Sequence, residues 1–260
     1  MKYPFHWFRK TGIWILLFVC CFLLGCNNKQ PHNNIICFVD FSEAPEWNKR
    51  LEDFRNLIQH AVIGNMRVEE SIVVLPIDKA SLTAGTEIYK ATFKKELQYI
   101  PERTSPIDED KVLAKNVQQD RDSFSSAFAR RFETVKSERI KQIQGTDIFG
   151  ALEQAKKYVE PDQKNIIILF SDMMNWSSEL KMEPDNFSLS SVNIALQKAP
   201  SVQIFNARVI VFTGNLSQIS QLHFKAVKQF WTEYFKKQNI ELVEYSSGAV
   251  TSLEKAISSK

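Results

Sequence analysis

Glycine and proline are scarce in these 260 residues, with 8 and 9 copies, which excludes collagen-like and low-complexity classes. Cysteine is scarcer where it matters. Cys20, Cys21 and Cys26 fall within the first 26 residues, and only Cys37 lies beyond them. A single thiol forms no intramolecular disulfide, and Cys37, inside an apolar strand pattern, reads as a small buried side chain and not a nucleophile. Acidic residues are absent from the first 26 positions, where Lys2, Arg9 and Lys10 supply the whole excess of 33 basic over 30 acidic residues. The rest of the chain is formally neutral, so its basic isoelectric point does not mark a nucleic-acid-binding face, and no nucleic-acid partner is expected. Phosphate loops of the Gly-x-x-x-x-Gly-Lys type, Gly-x-Gly-x-x-Gly after a strand and Gly-x-Ser-x-Gly elbows are all missing. His6 and His32 precede the fold, and His60 and His223 sit on helical stretches without a partner at zinc-ligand spacing. What is plentiful is apolar surface: 44% hydrophobic residues and 19 phenylalanines exclude intrinsic disorder and suit one full core.

Residues 1–10 are basic and aromatic, and Ile13 to Leu24 follow as an uncharged apolar run. That run has the length of a signal-peptide core and is too short for about 30 Å of hydrocarbon. It ends in Leu23-Leu24-Gly25-Cys26, which resembles the lipobox of bacterial lipoproteins. The resemblance implies a signal peptide over 1–25, cleavage before Cys26, acylation (palmitate among the chains) of its thiol, and a lipid-anchored protein in a bacterial cell envelope. Residues 26–34 are polar and read as a short tether.

Beyond the tether, strand and helix patterns alternate. Ile35 to Phe41, Ser71 to Ile77, Asn165 to Phe170, Arg208 to Phe212 and Ile240 to Tyr245 are short apolar, β-branched or aromatic runs of the kind buried on both faces. Thr86 to Phe93 is a further strand, reached through the Ala84-Gly85 turn, and that gap is too short for a crossover, so it pairs antiparallel. Helical patterns start at Pro45-Glu46 and run over Ile148 to Val159, Ser188 to Lys198, Ile219 to Lys237 and Val250 to Ile257. Residues 108–143 predict one or two amphipathic helices, opening on Asp108-Glu109-Asp110. Val227, Phe230, Trp231, Tyr234 and Phe235 follow one helical face and predict core packing. The fold class is therefore α/β: a doubly wound, mostly parallel sheet with helices on both faces and one antiparallel edge strand. The domain spans 35–258, elaborated at 85–141.

In such sheets ligands bind at the carboxyl ends of the strands. Asp40-Phe41-Ser42, Thr146-Asp147 and Ser171-Asp172 fall at strand ends or on an adjoining loop, and converging carboxylate and hydroxyl oxygens suit Mg²⁺. Asp40-x-Ser42, Gly145-Thr146-Asp147-Ile148 and Leu169-Phe170-Ser171-Asp172, in that order, resemble the von Willebrand factor A domain. The resemblance implies a metal-ion-dependent adhesion site in which Asp40, Ser42, Thr146 and Asp172 hold Mg²⁺ and a partner protein's acidic group completes the shell. Two positions depart from the family pattern. Ala44 stands where a second ligating serine belongs and offers no oxygen, and Met173 replaces a frequent glycine and threatens to crowd the site.

The expectation is a membrane-tethered, non-enzymatic protein-binding module with a degenerate metal site. Two alternatives are a metal-dependent phosphoryl-transfer or hydrolytic enzyme on a similar sheet, and a structural lipoprotein with a vestigial site. A strand ending in Asp40 also opens dehalogenase-type phosphatases, but their general acid two residues on is here Ser42.

Overall fold

The run Asn33–Asp40 carries no polar alternation after its first two residues, and in the computed structural model it forms the central strand β1. Residues 32–42, 47–79, 81, 87–101, 105–106, 108–139, 145–216, 219–247, 253–255 and 257 are described, all within the compact unit His32–Lys260. Cys26 with the signal segment, Glu43, Ala44, the Pro45-Glu46 helix start, the Ala84-Gly85 turn and most of 250–257 lie outside them. The other strands are β2 (Ser71–Ile77), β3 (Tyr89–Thr92), β4 (Lys164–Phe170), β5 (Ala207–Phe212) and β6 (Glu241–Ser246). Their order is β3-β2-β1-β4-β5-β6, parallel throughout except for β3, which pairs antiparallel with β2. The doubly wound sheet with its antiparallel edge strand is as expected.

Both faces are covered, which is why the strands read as unbroken apolar runs. Ile35, Cys37 and Val39 of β1 enter one core layer, and Ile36 and Phe38 enter the other. The first layer is roofed by α1 (Trp47–Leu57), which passes into a π-turn at Ile58–Val62, and by α2 (Glu109–Arg139). The second is roofed by α3 (Ile148–Ala155), α4 (Val192–Lys198) and α5 (Gln221–Lys237). The aromatic stripe of α5 is fully buried, as its spacing predicts. Burial also pushes the Cys37 thiol well up, which keeps it protonated and inert.

The segment expected as one or two helices is one helix of 31 residues. Its buried face carries Phe128 and Phe132, and Phe132 reaches Phe41 at a ring separation of 5.4 Å. The Ser188–Lys198 segment opens with a 3₁₀ turn before α4. Helix α3 stops four residues short of the predicted Val159, because asparagine side chains from the sheet capture the backbone just beyond it.

That capture is a polar knot at the amino ends of β1 and β4. Asn34 Nδ2 donates to the Tyr158 carbonyl (2.6 Å) and to Asn165 Oδ1 (2.8 Å), and Asn165 Oδ1 also accepts from the Glu160 amide (2.9 Å). Asn165 Nδ2 faces the carbonyls of Glu160, Gln163 and Asn206 at 2.8, 3.2 and 3.1 Å. Replacing Asn165 by Leu orphans several of these buried groups at about 1–3 kcal/mol each, so the expected loss of stability is about 3 kcal/mol or more. Urea unfolding measures it, and a loss under about 1 kcal/mol would show that the knot does not hold this end together.

Candidate functional site at the carboxyl end of the sheet

Strand order reverses between β1 and β4: the chain runs outward through β2 and β3 on one side of β1 and through β4, β5 and β6 on the other. The crevice beyond the carboxyl ends of such a pair is the usual binding place of an open α/β sheet. Asp40 ends β1 there, and Ser171-Asp172 follow the last residue of β4.

The two chain ends are stitched together. The Ser42 amide donates to Asp40 Oδ1 (2.9 Å) in a local turn of the Asx kind. Ser171 Oγ donates to Asp40 Oδ2 (2.6 Å) and accepts from the Met173 amide (2.9 Å). Asp172 Oδ1 accepts from the Met174 amide (3.0 Å), while its Oδ2 accepts from Arg50 Nη1 at 2.8 Å. Arg50 and Asp172 are each 6% exposed and Asp40 1%, so this is a buried ion pair beside a second buried carboxylate. Arg50 comes from the inward face of α1. Its Cγ and Cδ pass over Gly214, where an added Cβ would stand 3.1 and 3.3 Å from them, and Gly214 is held at φ +67°. Among the described residues, Arg50 Nη2 has no hydrogen-bond partner.

Thr146 lies at the same end of the sheet and joins through its backbone. Its amide and carbonyl pair with Trp176, donating to the Trp176 carbonyl (3.2 Å) and accepting from its amide (2.7 Å). Asn175 Oδ1 accepts from the Ile148 amide (2.9 Å), and the Asp147 amide donates to the Asp78 carbonyl at the end of β2 (2.9 Å). Asp147 caps α3 by accepting from the Gly150 amide (2.8 Å). Gly145, at φ +105°, has no room for a side chain, since a Cβ would meet the Trp176 carbonyl at 2.9 Å. The loop after Asp172 thus clamps the loop before α3. Asp40, Ser42 and Asp172 meet in one network with Ser171 and Arg50, and Thr146 sits beside it on that clamp.

Burial is the main reason why the Asp40 carboxyl titrates above its ordinary range. The Asp172 carboxylate nearby adds to the rise, and Arg50 and the Ser171 and Ser42 hydrogen bonds offset part of it. The Tyr245 phenol is likewise pushed well up, by burial first and by Asp172 second.

A divalent ion does not fit this arrangement. Asp172 Oδ2 carries a guanidinium, whose positive charge would repel an incoming Mg²⁺, and Asp40 beside it is almost fully buried. Met173 does not crowd the site as its bulk suggests: its side chain is fully buried in the second core layer, while its backbone takes a left-handed φ of +65°.

The residue that sequence reasoning missed is Arg50. Beside Lys49 it looks like one of a pair of solvated surface charges. The signal was there, because position 50 lies four, seven and eight residues before the buried Phe54, Leu57 and Ile58, on the inward stripe of the helix.

No protein-family model matches the sequence, and no curated protein matches it. Solved structures with similarity include the conserved hypothetical protein BatB from Bacteroides thetaiotaomicron, at 15% identity and a TM-score of 0.47, covering 86% of this chain and 97% of that one. Proximal thread matrix protein 1 from the mussel byssus aligns at 10% identity and a TM-score of 0.37, over 87% of this chain and 46% of that one. The human COPII-coat protein Sec24c aligns at 9% identity and a TM-score of 0.42, over 90% of this chain and 32% of that one.

The electrostatics generate a pH prediction. A carboxyl whose folded-state pKa is raised binds its proton more tightly in the native state. Its contribution to stability is therefore greatest near or below the ordinary value of about 4 and falls as pH rises through the raised one. Asp40→Asn removes that slope and keeps an oxygen for the Ser42 amide. The difference in stability between the variant and the parent is expected to move in the variant's favour from pH 4 to pH 7, as followed by urea midpoints. A pH-independent difference would show that Asp40 is not strained by its charge.

Proposed function

We propose that the chain is a membrane-tethered, non-enzymatic protein-binding module of the von Willebrand factor A type, anchored by lipid on Cys26 in a bacterial cell envelope, whose adhesion-type site is degenerate. The observation that carries the binding role is Trp176. It is 48% exposed at the strand-end face, pinned by its two backbone hydrogen bonds to Thr146, and overlaid by Lys181 with Nζ 5.8 Å from its ring. An exposed tryptophan on a rigid backbone beside a charged cluster is the kind of side chain that dominates protein interfaces. Support for the family reading comes from the order of the Asp40, Thr146 and Asp172 loops around the point where the sheet reverses. The burial of Asp40 supports binding over nucleophilic catalysis, which needs a carboxylate that a substrate can reach.

Two experiments test this. Affinity capture from envelope extracts, using the tagged full chain, should recover a protein partner that Trp176→Ala loses at least tenfold while its melting midpoint stays within about 2 °C of the parent, since a half-exposed side chain contributes little to the core. Equal capture by the variant would remove the strand-end face from the binding role. Cys26→Ala should leave the precursor unprocessed and without lipid, because it removes the thiol that would carry the acyl chains a stable anchor needs. A mature terminus elsewhere, with Cys26 unmodified by mass spectrometry, would refute the anchor.

A further inference from the structure

We propose that Arg50 is the built-in cation of the strand-end site: its guanidinium stands where an adhesion-type site of this kind would hold a divalent ion, so the site is permanently loaded and independent of metal. The inference deepens the reading of this site as a degenerate adhesion site, and it is tested without any partner.

Two carboxylates buried side by side need a proton on one of them or positive charge close by. Asp40 and Asp172 are both buried where β1 and β4 diverge, and the positive charge on Asp172 is supplied from within the chain by Arg50 Nη1 at 2.8 Å. This is a built arrangement and not a surface side chain folded inward. Arg50 springs from the apolar stripe of α1, and its stem crosses Gly214, where an added Cβ would press on Arg50 Cγ and Cδ and on Phe54 at 3.1–3.3 Å. Asp172 is held from its other side by the Met174 amide, which aims Oδ2 at the guanidinium. Ala44, in the sequence, has no hydroxyl to give an ion. Arginine suits this role better than lysine, since its planar, weakly hydrated fork stays charged when buried and keeps further donors after its first bond. One such donor, Nη2, is buried and without a partner among the described residues.

The test compares melting of the full chain in detergent, in EDTA and in about 10 mM MgCl₂ or MnCl₂ at matched ionic strength, because an ion that binds only the native state raises the midpoint. For the parent no shift beyond about 1 °C is expected, and a rise of about 3 °C or more in either ion overturns the proposal. Arg50→Met keeps the stem and removes the charge. It should melt lower in EDTA and regain part of the loss in MnCl₂, and adding Asp172→Asn should abolish that regain. If Arg50→Met is too unstable to fold in EDTA, the yield of folded protein on refolding with and without MnCl₂ is the same readout. An Arg50→Met protein that responds to neither ion by either measure overturns the claim that the guanidinium stands in the ion's place.

Discussion

The strand-end charge balance is the constraint around which the rest is arranged. Asp40 and Asp172 finish adjacent parallel strands at the reversal of the sheet, both almost without solvent. Desolvation makes each charge costly, and proximity makes the pair costlier. Arg50 is the compensation. Removing one partner of such a buried pair typically costs about 3–5 kcal/mol, more than forming it contributes, because the survivor is left uncompensated. So the site does little to stabilise the fold, but the fold must hold every member of the site in place.

The surrounding elements do that from three sides. Helix α1 presents Arg50 across Gly214, and α2 backs the Asp40 strand end through the Phe132–Phe41 contact. From the opposite layer, Trp231 Nε1 of α5 donates to the Met173 carbonyl at 2.7 Å, fixing the residue after Asp172. Asn175 and Trp176 then reach the start of α3. Each tie comes from a different helix or loop, so the cluster is positioned by both core layers at once.

Much of the fold was legible because parallel strands buried on both faces leave an unmistakable mark. Ile166 to Phe170 and Ile35 to Val39 have no polar interruption, and the polar residues that end them mark the site's end of the sheet. The absence of glycine and proline from Glu109 to Arg139 was the available sign that this stretch is one helix and not two. The boundary of α3 was not legible, since it is set by Asn34 and Asn165 from distant sequence. Asp40, Ser42 and Asp172 were found through their strand ends. Arg50 was not, because a charge beside another charge on a helix looks solvated until its position on the stripe is weighed against the neighbouring Phe54 and Ile58. The attachment of Thr146 depends on the loop after Asp172, which has no periodicity to read.

The two ends of the sheet also differ in kind. The amino end is tied by neutral asparagines that join distant parts of the chain, and Asn206 and Asn239 take the left-handed turns into β5 and β6, a conformation asparagine adopts readily. At the carboxyl end the charges are buried and Met173, a long apolar residue, is held at φ +65°. A conformation that glycine would take freely persists there because three contacts over-determine it: the Ser171 hydroxyl on its amide, the Trp231 indole on its carbonyl, and the second core layer around its side chain. Glycine in its place would relax the backbone but give up the core anchor that keeps Asp172 facing Arg50. At the carboxyl end the left-handed Met173 adjoins Asp40, Asp172 and Arg50, all buried, whereas at the amino end the left-handed Glu69 adjoins the buried Glu70 carboxylate, which accepts from Asn33 and from the Arg67 amide.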